Sequence, residues 1–125
     1  MTARSTTNLQ APSCVRGELW LTRFDPASGA EIAKTRPAIV VNLPSVGRLP
    51  LRIVVPVTSW NRRHAAVPWL VYLKPSARNG LAKESSADCF QVKSVSVARF
   101  VSKLGVVRAE DIEEIGAAIA LCVGA

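Results

Sequence analysis

Three side chains in this sequence are of the right types for chemistry on a phosphodiester: Glu31, Arg36 and Thr58. Glu31 stands five residues before Arg36 on the glycine-led stretch Gly29-Ala30-Glu31-Ile32-Ala33-Lys34-Thr35-Arg36-Pro37, which empties into Ala38-Ile39-Val40-Val41. RNA carries its own nucleophile, the 2′-hydroxyl. A ribonuclease that uses no metal therefore needs an acceptor for the 2′ proton, stabilisation of charge on the phosphorus oxygens, and a proton for the leaving 5′ oxygen. Glu31 suits the first task where burial or a neighbour raises its pKa toward neutrality. Arg36 offers a planar fork of donors that matches a phosphate and stays charged at any ordinary pH. Thr58 can place a hydroxyl on a phosphate oxygen as charge develops. Spacing alone also fits a plainer reading, in which Glu31 and Arg36 are a surface ion pair and Thr58 an ordinary strand residue.

The elements that position these groups are mostly strands. Gly17 to Phe24 is rich in β-formers and is stopped by Asp25-Pro26. The connection from Asp25 to Arg36 is long for a hairpin, and long ordered loops tend to be functional. Pro37 to Leu43 reads as a second strand, opened by a proline, and Leu43 to Gly47 turns the chain. Leu51 to Val57 is a third strand, apolar almost throughout and so expected to be buried on both faces. Pro56 within it implies an edge or a bulge just before Thr58. Trp60 to Ala66 reads as a basic loop, Val67 to Leu73 as a fourth strand, and Lys74 to Ser86 as a second long loop. Short strands over Cys89 to Val95 and Arg99 to Val101 follow. Ile112, Ile115, Ile119 and Cys122 form one apolar stripe, and Glu110, Asp111, Glu113 and Glu114 fall in the first turns, so the chain closes on a helix. Many short strands and one terminal helix predict a small, strongly curled barrel with the helix packed on it.

At 125 residues the chain fits one domain, expected over 14–125 behind a disordered tail at 1–13. No signal-peptide core or membrane-length apolar run is present, which points to a cytoplasmic protein with no membrane partner. Cys14, Cys89 and Cys122 are widely spaced, form no CxxC pair and read as reduced, small core residues, so neither metal nor cofactor is expected. The net charge of +7 is segregated: no acid lies between Glu31 and Glu84, while the compensating carboxylates gather at Glu110 to Glu114. That favours a polyanion on one part of the surface, against the alternative of a solvated basic face. Trp60, Arg62 and Arg63 beside Thr58 offer a stacking surface and phosphate charge, with core packing the alternative for Trp60. His64, the one histidine, reads as a bystander.

Five pieces in order give the sequence a family resemblance: Arg16-Gly17-Glu18-Leu19-Trp20, Gly29-Ala30-Glu31 through Arg36-Pro37, Thr58-Ser59, Gly80-Leu81-Ala82-Lys83-Glu84-Ser85 and Gln91-Val92-Lys93-Ser94. From Arg16 to about Ala120 the chain resembles the MazF/PemK toxin endoribonucleases. The resemblance implies an SH3-like (PemK/CcdB-type) barrel with a C-terminal helix, paired as a homodimer and controlled by a cognate antitoxin with an acidic segment. It implies metal-free cleavage of single-stranded RNA (messenger, ribosomal or transfer) at short motifs, leaving a 2′,3′-cyclic phosphate and a 5′-hydroxyl. The positions matching Arg36 and Thr58 are the family's catalytic pair, and Glu31 assists. Lys34, Ser59, Trp60, Arg62, Ser85, Gln91 and Lys93 become the candidate RNA contacts. Two departures stand out: Ala30 replaces the loop serine, and Phe90 replaces the acid before the glutamine, with Lys93 in place of arginine nearby. They keep open a weakened homologue that binds RNA or antitoxin. A CcdB-like gyrase poison is the other alternative, though the end Leu121-Cys122-Val123-Gly124-Ala125 lacks the tryptophan that reading wants.

Overall fold

A computed structural model of the chain describes residues 13–46 and 49–125, so the tail expected over 1–13 lies, Ser13 apart, outside the described residues. Strands β1 (Glu18–Arg23), β2 (Thr35–Val40), β3 (Leu51–Ser59), β4 (Leu70–Leu73), β5 (Ser85–Asp88), β6 (Lys93–Ser96) and β7 (Phe100–Val106) precede helix α1 (Ala109–Val123). Single 3₁₀ turns occupy Arg62–Ala66, Cys89–Gln91 and Val97–Arg99. The strands pair in the order β4-β5-β3-β2-β1-β7, with β6 joined to β3. Every ladder is antiparallel. This is the mainly-β fold with a closing helix that the sequence predicts. The sheet curls like a small barrel, but no ladder joins β4 to β7. The loop after β4 bridges part of that gap, with Val106 N donating to Arg78 O at 2.9 Å.

Alternation along the strands builds a core on each face of the sheet. Leu19, Ile39, Val55 and Val57 pack on one side with Ile115 and Ala118 of α1. Ala38, Val40 and Val54 pack on the other with Phe24, Val95 and Phe100. Strand β3 is covered on both sides over Val54–Val57, as its unbroken apolar run predicts.

Pro56 departs from expectation in part. It sits in a central strand, paired with Ala38 of β2, and the edge expected there is confined to its other side, which no strand pairs. On the side of β3 away from β2, β6 stops at Val54↔Lys93 and β5 starts at Val57↔Ala87. Strand β3 changes neighbour at its proline. Two further differences follow from local chemistry. Leu70 N donates to Val67 O in a turn, so β4 starts at Leu70 rather than Val67. Ser85–Asp88, read largely as loop, is a strand because it is paired on both sides, by β3 and β4. Pairing from two neighbours overrides its weak intrinsic preference.

The opening Arg16-Gly17-Glu18 serves the fold. Gly17, at φ +93, donates to Val40 O at 2.8 Å. Glu18 Oε1 accepts from Val15 N at 3.1 Å and Trp20 Nε1 at 3.0 Å, while Oε2 pairs with Lys103 Nζ at 2.9 Å. Burial pushes the Glu18 carboxyl up, but hydrogen bonds from Lys103, Trp20 and Val15 and the charge of Lys103 outweigh it and hold the group below its ordinary value. Ionised Glu18 therefore stabilises the fold above the ordinary glutamate value of 4.5, and the contribution disappears as pH falls through the folded value. Glu18→Gln is expected to be less stable than wild type at pH 7 in urea titrations, with the gap narrowing as pH falls below 4.5.

The long loop after β4 is locked by one side chain. Buried Asn79 Oδ1 accepts from Ser76 N at 3.0 Å and Leu81 N at 2.9 Å, and Nδ2 donates to Lys74 O at 2.9 Å. Gly80 beside it has φ +72, and a Cβ there would lie 2.1 Å from Leu104 O. Gly80→Ala should lower stability by at least about 2 kcal/mol, read as a fall in urea midpoint at constant m.

Candidate active site

The β2–β3 register brings the two main candidates together. Ala38 pairs with Pro56, and continuing that register sets Arg36 across from Thr58 on the same face. Across the next ladders Thr58 faces Ser86, and Ser86 faces Tyr72. Arg36 and Thr58 line one cleft of about 250 Å³ with Pro37, Ser59, Lys83 and Ser85. Arg36 Nε donates to Ala33 O at 2.9 Å, which aims the side chain. Its two terminal nitrogens make no hydrogen bond or ion pair among the described residues. A guanidinium anchored at Nε with both terminal groups open is a fork poised for an oxyanion. The chain just before it is fixed by Asp25 Oδ1, which accepts from Lys34 N at 2.8 Å, while Lys34 O accepts from Phe24 N at 2.8 Å. Lys34 itself takes the left-handed conformation, φ +69, and is exposed.

Glu31 lines the adjoining cleft, about 460 Å³, with Ala30, Ile32, Pro56, Phe90, Gln91 and Lys93. It is exposed, and its Oε1 accepts from Ser28 N at 2.8 Å, closing its own turn. It forms no ion pair with Arg36, so the plain surface-pair reading does not describe these two residues. Gln91 uses both ends of its amide. Oε1 accepts from Ile32 N at 2.6 Å, and Nε2 reaches Asp88 Oδ2 at 3.3 Å. Gln91 thereby ties the Glu31 loop to the turn between β5 and β6. Exposed Lys93 stands beside it.

The basic turn at Arg62–Ala66 is pinned by His64, which sequence reasoning passed over. Asn61 Oδ1 accepts from Arg63 N at 2.9 Å, which leaves Nδ2 to donate to His64 Nε2 at 3.0 Å. The proton of the neutral imidazole is then on Nδ1, donated to Ser86 Oγ at 2.8 Å. Ser86 is fully buried and pairs with Thr58, so His64 fastens the turn next to the cleft. No sequence signal pointed to this, because Ser86 fell in an expected loop. Trp60 is half-buried, edge-on to Tyr72 at 5.7 Å, and Arg62 is exposed. Ser59 is exposed, whereas Ser85 is buried and donates to Lys83 O at 2.9 Å.

Asp88 was also missed. Its Oδ1 is buried without a hydrogen-bond partner, and burial pushes the carboxyl up, offset in part by the Phe90 and Gln91 amides, the Gln91 side chain and the nearby His64. Cys14 and Cys89 are core thiols, whereas Cys122 is only partly buried and lies outside both clusters. Burial pushes Cys14 up to about 11 and Cys89 up to about 12, far from a thiolate at neutral pH. Among the described residues no group of three or more His, Cys, Asp or Glu is arranged to hold a metal ion. The Gln91 anchor makes a checkable statement: Gln91→Ala should speed hydrogen exchange at the Ile32 amide by roughly fivefold, about one lost hydrogen bond, while Gln91→Glu, which keeps the acceptor, should not.

Comparison with known proteins places this geometry in a lineage. Residues 15–123 match the family described as PemK-like, MazF-like toxin of type II toxin-antitoxin system. The chain is 31% identical over 112 residues to endoribonuclease MazF9 of Mycobacterium tuberculosis, covering 85% of this chain and 92% of that one. A 45-residue stretch is 47% identical to endoribonuclease PemK of Escherichia coli, covering 35% of this chain and 34% of that one. MazF from Deinococcus radiodurans shares the fold, with a TM-score of 0.74 at 24% identity over 89% of this chain and 96% of that one. So does a mycobacterial endoribonuclease solved with its cognate antitoxin, with a TM-score of 0.68 at 17% identity over 88% and 94%. With the match spanning nearly its whole length, and a relative of that identity and coverage behind it, the chain belongs to the PemK-like, MazF-like toxins of type II toxin–antitoxin systems.

Proposed function

We propose that this chain is an endoribonuclease toxin that cuts single-stranded RNA without a metal, through attack of the substrate's own 2′-hydroxyl. The observation that carries the reading is the shared cleft of Arg36 and Thr58, in which the guanidinium is anchored at Nε and keeps both terminal nitrogens open. In the reaction the 2′ oxygen bonds to phosphorus as the bond to the 5′ oxygen breaks. A 2′,3′-cyclic phosphate and a 5′-hydroxyl result. Arg36 binds the non-bridging oxygens and offsets their growing charge, and Thr58 donates its hydroxyl to one of them. Glu31, entering from the adjoining cleft, is the candidate acceptor for the 2′ proton, with water supplying the proton that the leaving 5′ oxygen takes up. An arginine stays protonated in this setting, so its part is electrostatic rather than acid–base.

Lys34, Ser59, Trp60, Arg62, Ser85, Gln91 and Lys93 surround these two clefts as RNA contacts or as their supports. Two relatives in the fold were solved with antitoxin, MazF of Deinococcus radiodurans in complex with MazE among them. By extension an acidic antitoxin segment covers the basic groove here and blocks RNA, and the toxin acts as a homodimer. The test is cleavage of a long unstructured RNA in EDTA. Wild type should yield fragments with 5′-hydroxyl ends. Arg36→Ala and Thr58→Ala should each lose about 10²-fold or more, and Glu31→Gln should lose less than Arg36→Ala. Well-folded wild type, freed of antitoxin, that leaves the RNA intact would refute the enzyme.

A further inference from the structure

The adjoining cleft carries an aromatic platform that the catalytic reading does not use. Phe90 sits on the 3₁₀ turn Cys89–Gln91 and, at 68%, is the most exposed aromatic side chain among the described residues. It is not adrift. Its ring packs against Trp69, 39% exposed, at 5.9 Å between centroids and 48° between planes. The backbones beneath are joined, since Cys89 N donates to Trp69 O at 3.0 Å. The pair is therefore held at the lip of the cleft before anything binds. That cleft, about 460 Å³, has room for a nucleobase, and its other walls are polar at the edges: Glu31 and Lys93 reach in beside Gln91.

Its place relative to the reacting phosphate follows from the strand. Pro56 floors this cleft and Thr58 lines the other, two residues apart on the same face of β3. Two residues of strand span about 7 Å, the reach of a single extended nucleotide. A flat ring with an open face, backed by a second ring and flanked by a cation and by hydrogen-bonding groups, is the chemistry that receives an unstacked base. Glu31, Gln91 and Lys93 border the ring on the cleft side and offer a base edge hydrogen-bonding partners that an apolar peptide segment would leave unused.

We propose that Phe90, backed by Trp69, stacks the base of the nucleotide next to the scissile phosphate and thereby sets the sequence preference at that position. The proposal rests on the endoribonuclease reading for its register, not for the existence of the site. Phe90 stands where the family pattern has an acid, so this position offers a base a stacking face in place of a charged oxygen.

The experiment uses the full chain and two probes. The first is a mixed-sequence, fully 2′-O-methylated oligoribonucleotide, which binds but lacks the nucleophile. The second is a long unstructured RNA whose cut sites are mapped. Phe90→Ala should weaken binding of the first roughly tenfold or more, Phe90→Tyr should restore it, and the oligonucleotide should quench fluorescence in wild type more than in Trp69→Phe. On the second, Phe90→Ala should raise KM with kcat nearly unchanged and flatten the preference at one position next to the cut. Unchanged affinity, KM and cut profile in a folded Phe90→Ala protein overturns the proposal. So does unchanged RNA affinity joined to lost binding of an acidic, leucine-containing peptide, which would make the pair a protein dock. If wild type binds the methylated probe through Phe90 yet cuts nothing, the stacking site stands and the nuclease reading falls.

Discussion

The missing N–H of Pro56 is the constraint on which the two clefts depend. In β3, Ile53 O accepts from Val41 N, so the odd-numbered residues present their backbone groups to β2 and the even-numbered ones to the other side. Pro56 is even, and its ring nitrogen faces the space between the end of β6 and the start of β5. A proline in a central strand ordinarily costs a ladder hydrogen bond. Here no partner strand occupies that position, so none is lost. The chain that passes from β5 to β6 has to round this gap, and it does so with the turn Cys89–Gln91. That turn is what sets Phe90 and Gln91 beside Pro56, two residues from Thr58.

Charge around the clefts is arranged by occupying the carboxylates elsewhere. Glu18 is held by Lys103, Asp111 by Arg108 at 2.9 Å, and Glu84 accepts from the Tyr72 hydroxyl at 2.7 Å. Glu31 shares one oxygen with the Ser28 amide. Arg36, by contrast, spends only its Nε on the fold. The cleft thus keeps a cation whose two terminal nitrogens are unspent, close to a strand threonine held in the β3–β5 ladder. Such an arrangement costs little reorganisation when an anion arrives, which is the physical content of electrostatic preorganisation.

What the sequence made legible follows from where periodicity is strong. β1, β2 and the middle of β3 carry apolar alternation or unbroken burial, and the stripe around Ile115 predicts α1 within a few residues. β5 carries no such signal: Ser85, Ser86, Ala87 and Asp88 are not β-formers, and their strand exists because two neighbours pair with it. The error propagated to the site, because His64 acquires its role only once Ser86 is known to stand beside Thr58. Arg36 and Thr58 were legible as a pair through the family resemblance alone, and the β2–β3 register then sets them across from one another. Glu31, near Arg36 in sequence, lines a different cleft, because the loop reverses through Ala33 and left-handed Lys34 before Arg36 joins β2. Sequence proximity across a turn says little about which wall a side chain lines.

The two departures from the family pattern fall where the fold is indifferent to them. Ala30 and Phe90 are both exposed, one on the loop before β2 and one on the turn after β5, and neither belongs to either core cluster. Arg36 and Thr58 lie at the open ends of rows whose inner members, Ala38 with Pro56 and Val40 with Val54, are fully packed. A change at the inner rows would disturb the register and with it the placement of Arg36 and Thr58. A change at the rim alters only what the cleft touches. The architecture therefore separates a fixed strand pair from an exposed border, and substitution at positions 30 and 90 changes what the clefts present without loosening the strands that hold Arg36 and Thr58.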